Sequence, residues 1–156
     1  DQWVAPARLY VGHWRHPMHA HGEPVLCQVV IDAAEPRLVA AQVAEHGVAR
    51  EADRRMLHTL DKVLRAQDVY DQPSAWGFTP CTVLPAWVRP TFSESQIEEL
   101  QRIQGYLIEA PEHKVDTVLE VRDAFLQGIG VTDRHMCRAV REGGRYLPKN
   151  GRSTVN

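Results

Sequence analysis

Lysine is scarce in this chain of 156 residues. Lys62, Lys114 and Lys149 are the only three among eighteen basic side chains, and the rest are arginines. Guanidinium favours flat, two-pronged contacts to carboxylate or phosphate over the point charge of an ammonium. Cysteine is equally sparse. Cys27, Cys81 and Cys137 are odd in number and far apart. That pattern makes no disulfide framework and suits a reducing compartment. No apolar run approaches the about 20 residues that span a bilayer, so no membrane partner is expected. No signal-peptide pattern is visible in the opening DQWVAPARLY. These absences lead to the expectation of a soluble, intracellular protein. Net charge is −2, so no global field drives the chain onto nucleic acid or a membrane. Phosphate-binding and nucleophile motifs are missing too. There is no Walker loop and no G-x-S-x-G, and the only G-x-G, Gly128 to Gly130, lacks the third glycine of a dinucleotide fingerprint.

The hydrophobic pattern present is that of a globular domain. Residues 7–14 alternate as a short strand. Residues 24–32 (PVLCQVVID) form a continuous apolar run, the mark of a buried strand. The two are expected to pair as a hairpin with a histidine-rich tip. Pro36 suits the first turn of a helix running to residue 46, with Gly47 closing it. Residues 51–68 carry Met56, Leu60, Val63 and Leu64 on one face, with Arg54, Arg55, Asp61 and Arg65 largely off it. Residues 70–90 hold four prolines and read as an irregular connection pinned by Trp76 and Trp87, with a short strand at 82–84. Ser93 and Gln96 form a capping-box pattern ahead of Ile97, Leu100, Ile103 and Leu107. Two further helices are expected at 115–127 and 133–142. The expected architecture is a single α+β domain at 1–156. It has a small N-terminal β-hairpin sheet packed on about five helices, and its composition shifts near residue 91 from a mixed half to a helical one.

Two segments stand out for chemistry. The first is GHWRHPMHAHGEP, with His13, His16, His19, His21 and Glu23, and Cys27 just beyond. Histidine is the commonest metal ligand, and zinc needs a converging tetrahedral donor set. On an extended backbone His19 and His21 share a face; His16 differs in parity. Three known zinc patterns are approached and none is completed. For the cupin pattern, Gly12, His19, His21 and Glu23 stand at the wrong offsets. For the isopeptidase pattern, His19, His21 and Asp32 are spaced correctly, but Val29 replaces the serine. For the deaminase pattern, His21, Glu23, Pro80 and Cys81 fit, but Leu84 holds the second cysteine position. The candidate zinc ligands are therefore His19 and His21, with His16 and Glu23. The alternatives are a solvated hairpin tip, an interface loop, or a pH-responsive cluster whose imidazoles repel once protonated.

The second segment is RDAFLQGIGVTDRHMCRAVRE, residues 122–142. With Gly130 at a turn, Phe125, Ile129, Val131 and Met136 fall at inward positions. GVT ahead of the second helix resembles the turn of helix-turn-helix DNA-binding proteins, where a threonine or serine caps the helix that enters the major groove. The resemblance covers about twenty residues. It implies Thr132 as the cap and Arg134, His135, Arg138, Arg141 and Arg145 as nucleic-acid contacts. It departs from the pattern at Leu126, where a small residue is usual. From Val131 onward six basic side chains face two acidic ones. That local net charge of +4 leaves −6 on the rest of the chain. Such asymmetry suits duplex DNA or an acidic protein partner.

Outside the histidine cluster nothing points to an enzyme. Cys27 and Cys137 lie in apolar-patterned segments, and Cys81 has no basic neighbour in sequence to activate it. The first functional expectation is a small DNA-associated protein of helix-turn-helix type. The second is a non-catalytic accessory or structural subunit. The third is a zinc-binding protein acting through residues 13–23.

Overall fold

A computed structural model describes residues 7–20, 23–45, 47–132 and 135, with side chains omitted at 16–20, 23–24 and 45. Five strands form one antiparallel sheet: β1 (Leu9–Ala20), β2 (Glu23–Asp32), β3 (Arg37–Glu45), β4 (Val48–Glu51) and β5 (Thr79–Cys81). Their order across the sheet is β4-β3-β2-β1-β5. Three α-helices lie among the described residues: α1 (Arg54–Ala66), α2 (Glu94–Glu109) and α3 (Val115–Gly128). The chain divides into two units, Asp1–Leu84 and Pro85–Asn156. The expected hairpin of β1 and β2 forms. The expectation of a small hairpin sheet with about five helices is overturned by the five-stranded sheet and the three helices.

The correction turns on residues 37–46, expected as a helix and folded as β3. Ala, Leu, Gln and Glu give this segment good helix propensity, but tertiary context overrides propensity. Val39, Ala41 and Val43 alternate as buried residues, and β3 pairs along β2 from Asp32↔Arg37 to Leu26↔Ala44. A bulge between Val30 and Ile31 takes up the extra residue, Val39. Pro36 ends a turn here and does not start a helix. The buried Asp32 carboxylate accepts from the backbone N–H of Ala34 (2.9 Å) and Glu35 (3.1 Å) and so folds the chain back between β2 and β3. Arg8 donates from Nε to the other Asp32 oxygen at 3.1 Å and from Nη2 to Glu35 at 2.6 Å. Asp32 matches the spacing of an isopeptidase metal ligand, but its work here is to hold this turn.

In the first unit α1 packs on β1 and β3. Asp53 caps it, accepting from Met56 N–H at 2.8 Å. Met56, Leu60 and Leu64 then fall on one face and meet Val25, Cys27, Val29 and Ile31 of β2 with Ala41 and Val43 of β3. The helix ends with Asp68 in the left-handed region (φ 58°). Asp68 N–H bonds Arg65 C=O, and Val69 N–H bonds Leu64 C=O. This is a Schellman closure, with Leu64 and Val69 both fully buried. After it Tyr70 donates from its hydroxyl to Asp61 at 2.6 Å, and Trp76 packs on Trp14 with ring centroids 5.4 Å apart. β5 closes the sheet against β1 (Leu9↔Cys81), a few residues earlier than the strand expected at 82–84.

In the second unit the Ser93 capping box forms as read: Gln96 N–H donates to Ser93 Oγ, and Ser93 N–H donates to Gln96 Oε1. The box draws Gln96 inward, so α2 buries Gln96, Leu100, Ile103 and Gln104 while Ile97, expected inside, is 41% exposed.

Gly12 lies under the Phe78 ring, and an added Cβ would stand 2.6 Å from ring carbons. Gly12→Ala is expected to cost about 1–3 kcal/mol in denaturant unfolding, with part recovered in Gly12→Ala/Phe78→Leu. Burial and the bond to Asp61 raise the Tyr70 phenol above its ordinary value. A raised folded-state value means stability that is full below the unfolded tyrosine pKa of about 10 and is lost as pH rises beyond it. Phenolate absorbance should show one tyrosine that ionises late, and Tyr70→Phe should abolish that late step.

Candidate nucleic-acid interface

The C-terminal turn is built by α3 itself. Gly130 N–H bonds Gln127 C=O at 3.0 Å, and Val131 N–H bonds Leu126 C=O at 2.9 Å. Gly130 has φ 84°, a conformation in which glycine carries no Cβ penalty. This is again a Schellman closure, with Leu126 and Val131 both buried. Leu126 therefore has a local reason to be large: it is the apolar partner of Val131 across the turn. That role differs from the small crossing residue of the helix-turn-helix pattern.

His135, three residues after Thr132, is helical. Thr132 N–H donates to His135 Nδ1 at 3.0 Å, the reach-back of a capping box with imidazole in place of glutamate or glutamine. The Thr132 hydroxyl lies 2.9 Å from the same nitrogen. Because Nδ1 accepts the backbone N–H, Nε2 carries the proton, and it donates to Pro85 C=O at 3.0 Å. His135 is 1% exposed. Both its ring nitrogens are spent inside the unit, so it does not face a ligand. Arg134, Arg138, Arg141 and Arg145 lie outside the described residues.

At the other end, the histidine-rich segment lies on the hairpin of β1 and β2. His16 is opposite Val25, His19 opposite Pro24 and Ala20 opposite Glu23, with a register shift between His16 and His19. The shift breaks simple alternation, so sequence parity does not carry through this stretch. His21 and the side chains of His16, His19 and Glu23 lie outside the description. His13 is exposed. Among the described residues no group of three or more His, Cys, Asp or Glu side chains can hold a metal ion. Cys27 is fully buried, and burial raises the Cys81 thiol, which works against a nucleophilic role.

One group escaped the sequence reading. Arg54, His58, Asp61 and Arg65 recur at helical spacing along α1 and, with Arg37, Leu38 and Leu57, line an open cleft of about 330 Å³. The signal was their shared face: the sequence places Arg54, Asp61 and Arg65 off the apolar face of the helix, but the other wall, β3, was expected as a helix.

Comparison with protein-family models, curated proteins and solved structures gives no match to this chain. No helix among the described residues is long and apolar enough to cross a membrane.

His135→Ala would leave Thr132 N–H and Pro85 C=O without a buried partner. It is expected to cost about 2–3 kcal/mol in denaturant unfolding. His135→Gln, which can accept from Thr132 N–H, should recover part of the loss.

Proposed function

We propose that the C-terminal unit is a DNA-associated module of helix-turn-helix type. The supporting observation is the turn: α3 closes at Gly130, and the Thr132 N–H just beyond it is taken up by the side chain of His135, a helical residue three positions on. Behind the cap the sequence carries Arg134, Arg138, Arg141 and Arg145 within the +4 segment. Arg134 and Arg138 are four residues apart in sequence, a spacing that on a helix would put both on one face toward base edges or phosphates. Thr132 positions this helix. His135 anchors it and is not among the proposed contacts. Arg138→Ala is expected to weaken duplex DNA binding and, for a phosphate contact, to lower the salt slope by about one. Unchanged affinity across a salt series would remove this reading.

A second reading draws on the same unit. Tyr106 and Ile108 on α2 and Val121 on α3 are each more than half exposed. Large apolar side chains at the surface favour an accessory role with a protein partner, one whose acidic surface would meet the basic tail. A stable complex with a protein and no retention on DNA would put this reading first.

A further inference from the structure

The sheet of the first unit has two faces. Val25, Cys27, Val29 and Ile31 of β2 point toward α1 and join the core with Met56, Leu60 and Leu64. Side chains alternate along a strand, so Leu26 and Gln28 point the other way. The register supplies their neighbours. Gln28 lies between His13 of β1 and Gln42 of β3, and Gln42 lies beside Glu51 of β4. Leu26 lies between Arg15 and Ala44, and Ala44 lies beside Ala49. Two rows of four side chains thus cross four strands on the face turned away from α1. The two glutamines are half-buried and the other six residues are exposed, Leu26 at 48%. Val30, next along β2 on this face, is fully buried, so the open area is these two rows.

This face has a direction. Its β1 end carries His13 and Arg15, and its β4 end carries Glu51. Its middle sets bulky Leu26 beside small Ala44 and Ala49. The side chains of His13, Arg15, Gln28, Gln42 and Glu51 make no hydrogen bond or ion pair among the described residues. A solvated sheet face is ordinarily polar throughout, and a row holding leucine and two alanines is not.

A surface basic at one end and acidic at the other fits a second copy of itself. A closed pair needs a two-fold axis, and for two such faces to meet that axis must lie between the sheets. With the axis along the strands, the strand order of one copy runs opposite to that of the other. β1 then lies over the second copy's β4, and β2 over its β3. His13 meets the second copy's Glu51, and Arg15 lies over its Ala49 within reach of the same carboxylate. Gln28 meets Gln42, and each amide has donors and an acceptor to offer. Leu26 meets Ala44, large over small. An axis across the strands instead sets His13 over Arg15 and Gln28 over Leu26, cation on cation and amide on apolar. Complementarity therefore selects the first arrangement, in which the strands of the two sheets stay within about 30° of each other. We propose that this face joins two copies of the chain about a two-fold axis along the strands. Two rows make an interface at the small end of the specific range, about 1,000 Å² in total, so the pair is weak and reversible. All eight residues lie in the first unit, so the proposal is independent of the DNA reading of the second.

The test is sedimentation velocity of the full chain from about 1 to about 500 μM. A reversible step from one chain to two is expected. Leu26→Asp should remove it throughout the range. Arg15→Glu and Glu51→Arg should each weaken it about tenfold or more, since each sets like charges against one another. Mixed one to one, these two variants should associate again, because each reversed charge then faces an opposite one. Lys62→Glu makes the same change of charge at an exposed position on α1 and should have no effect. The unfolding midpoint, measured where the chain is single, should be unchanged in all four variants. A chain that stays single at every concentration overturns the proposal, as does association that survives Leu26→Asp. Equal weakening by Lys62→Glu and Arg15→Glu would show diffuse repulsion and overturn it too. Failure of the mixed variants to associate would rule out the axis along the strands, and the proposal with it.

Discussion

A single buried carboxylate organises the first unit. Asp32 is 1% exposed and spends its two oxygens in different directions, one on the backbone of the turn after β2 and one on Arg8. A charge removed from water this completely persists only when paired and hydrogen-bonded. The requirement is met by bending the chain sharply, and the bend sets β3 beside β2. Once β3 is placed, Val39, Ala41 and Val43 face inward and α1 has a second strand to lie on. The same bend delivers Pro36 C=O to Arg65 and Arg37 to the cleft. The turn is thus a structural support and also one end of the cleft wall.

The two units solve helix termination in the same way. α1 ends through Leu64, Asp68 and Val69; α3 ends through Leu126, Gly130 and Val131. In each case a left-handed residue reverses the chain, and a buried apolar pair spans the reversal. The difference is in the residue at the reversal. Asp68 accepts the conformational cost that Gly130 avoids. Leu64 and Val69 are both completely buried, which offsets that cost by excluding water from the closure.

What was legible in the sequence followed local rules. The Ser93 capping box, the glycine turn at 130 and the apolar face of α1 each depend on residues within a turn or two of one another. The hairpin of β1 and β2 was legible for a related reason, since its two apolar runs are neighbours in sequence. What was not legible depended on partners distant in sequence. Nothing local marks Arg37 as the opposite of Asp32 across a turn, and nothing local outweighs the helix propensity of the nine residues that form β3. The cleft was hidden by the same step, because one of its walls is that strand. His135 was hidden differently. It sits among arginines in a basic segment and reads as a surface contact, but its acceptor is Pro85, fifty residues earlier.

That long reach gives His135 a part in how the C-terminal unit is held together. Pro85 opens the unit, and Thr132 begins its last described segment. A helix that presents basic side chains to a partner needs a fixed start, because the direction of every later residue follows from its first turn. A threonine cap alone fixes the backbone at one point. Imidazole at the third position accepts the cap's own N–H and also donates to the start of the unit, so the first turn is held from inside as well as from its end. The ring therefore acts as a strut between the start of the unit and Thr132. On the proposed DNA-binding reading, a segment started from such a strut would lose less freedom on docking, and affinity would gain through preorganisation without an added direct contact.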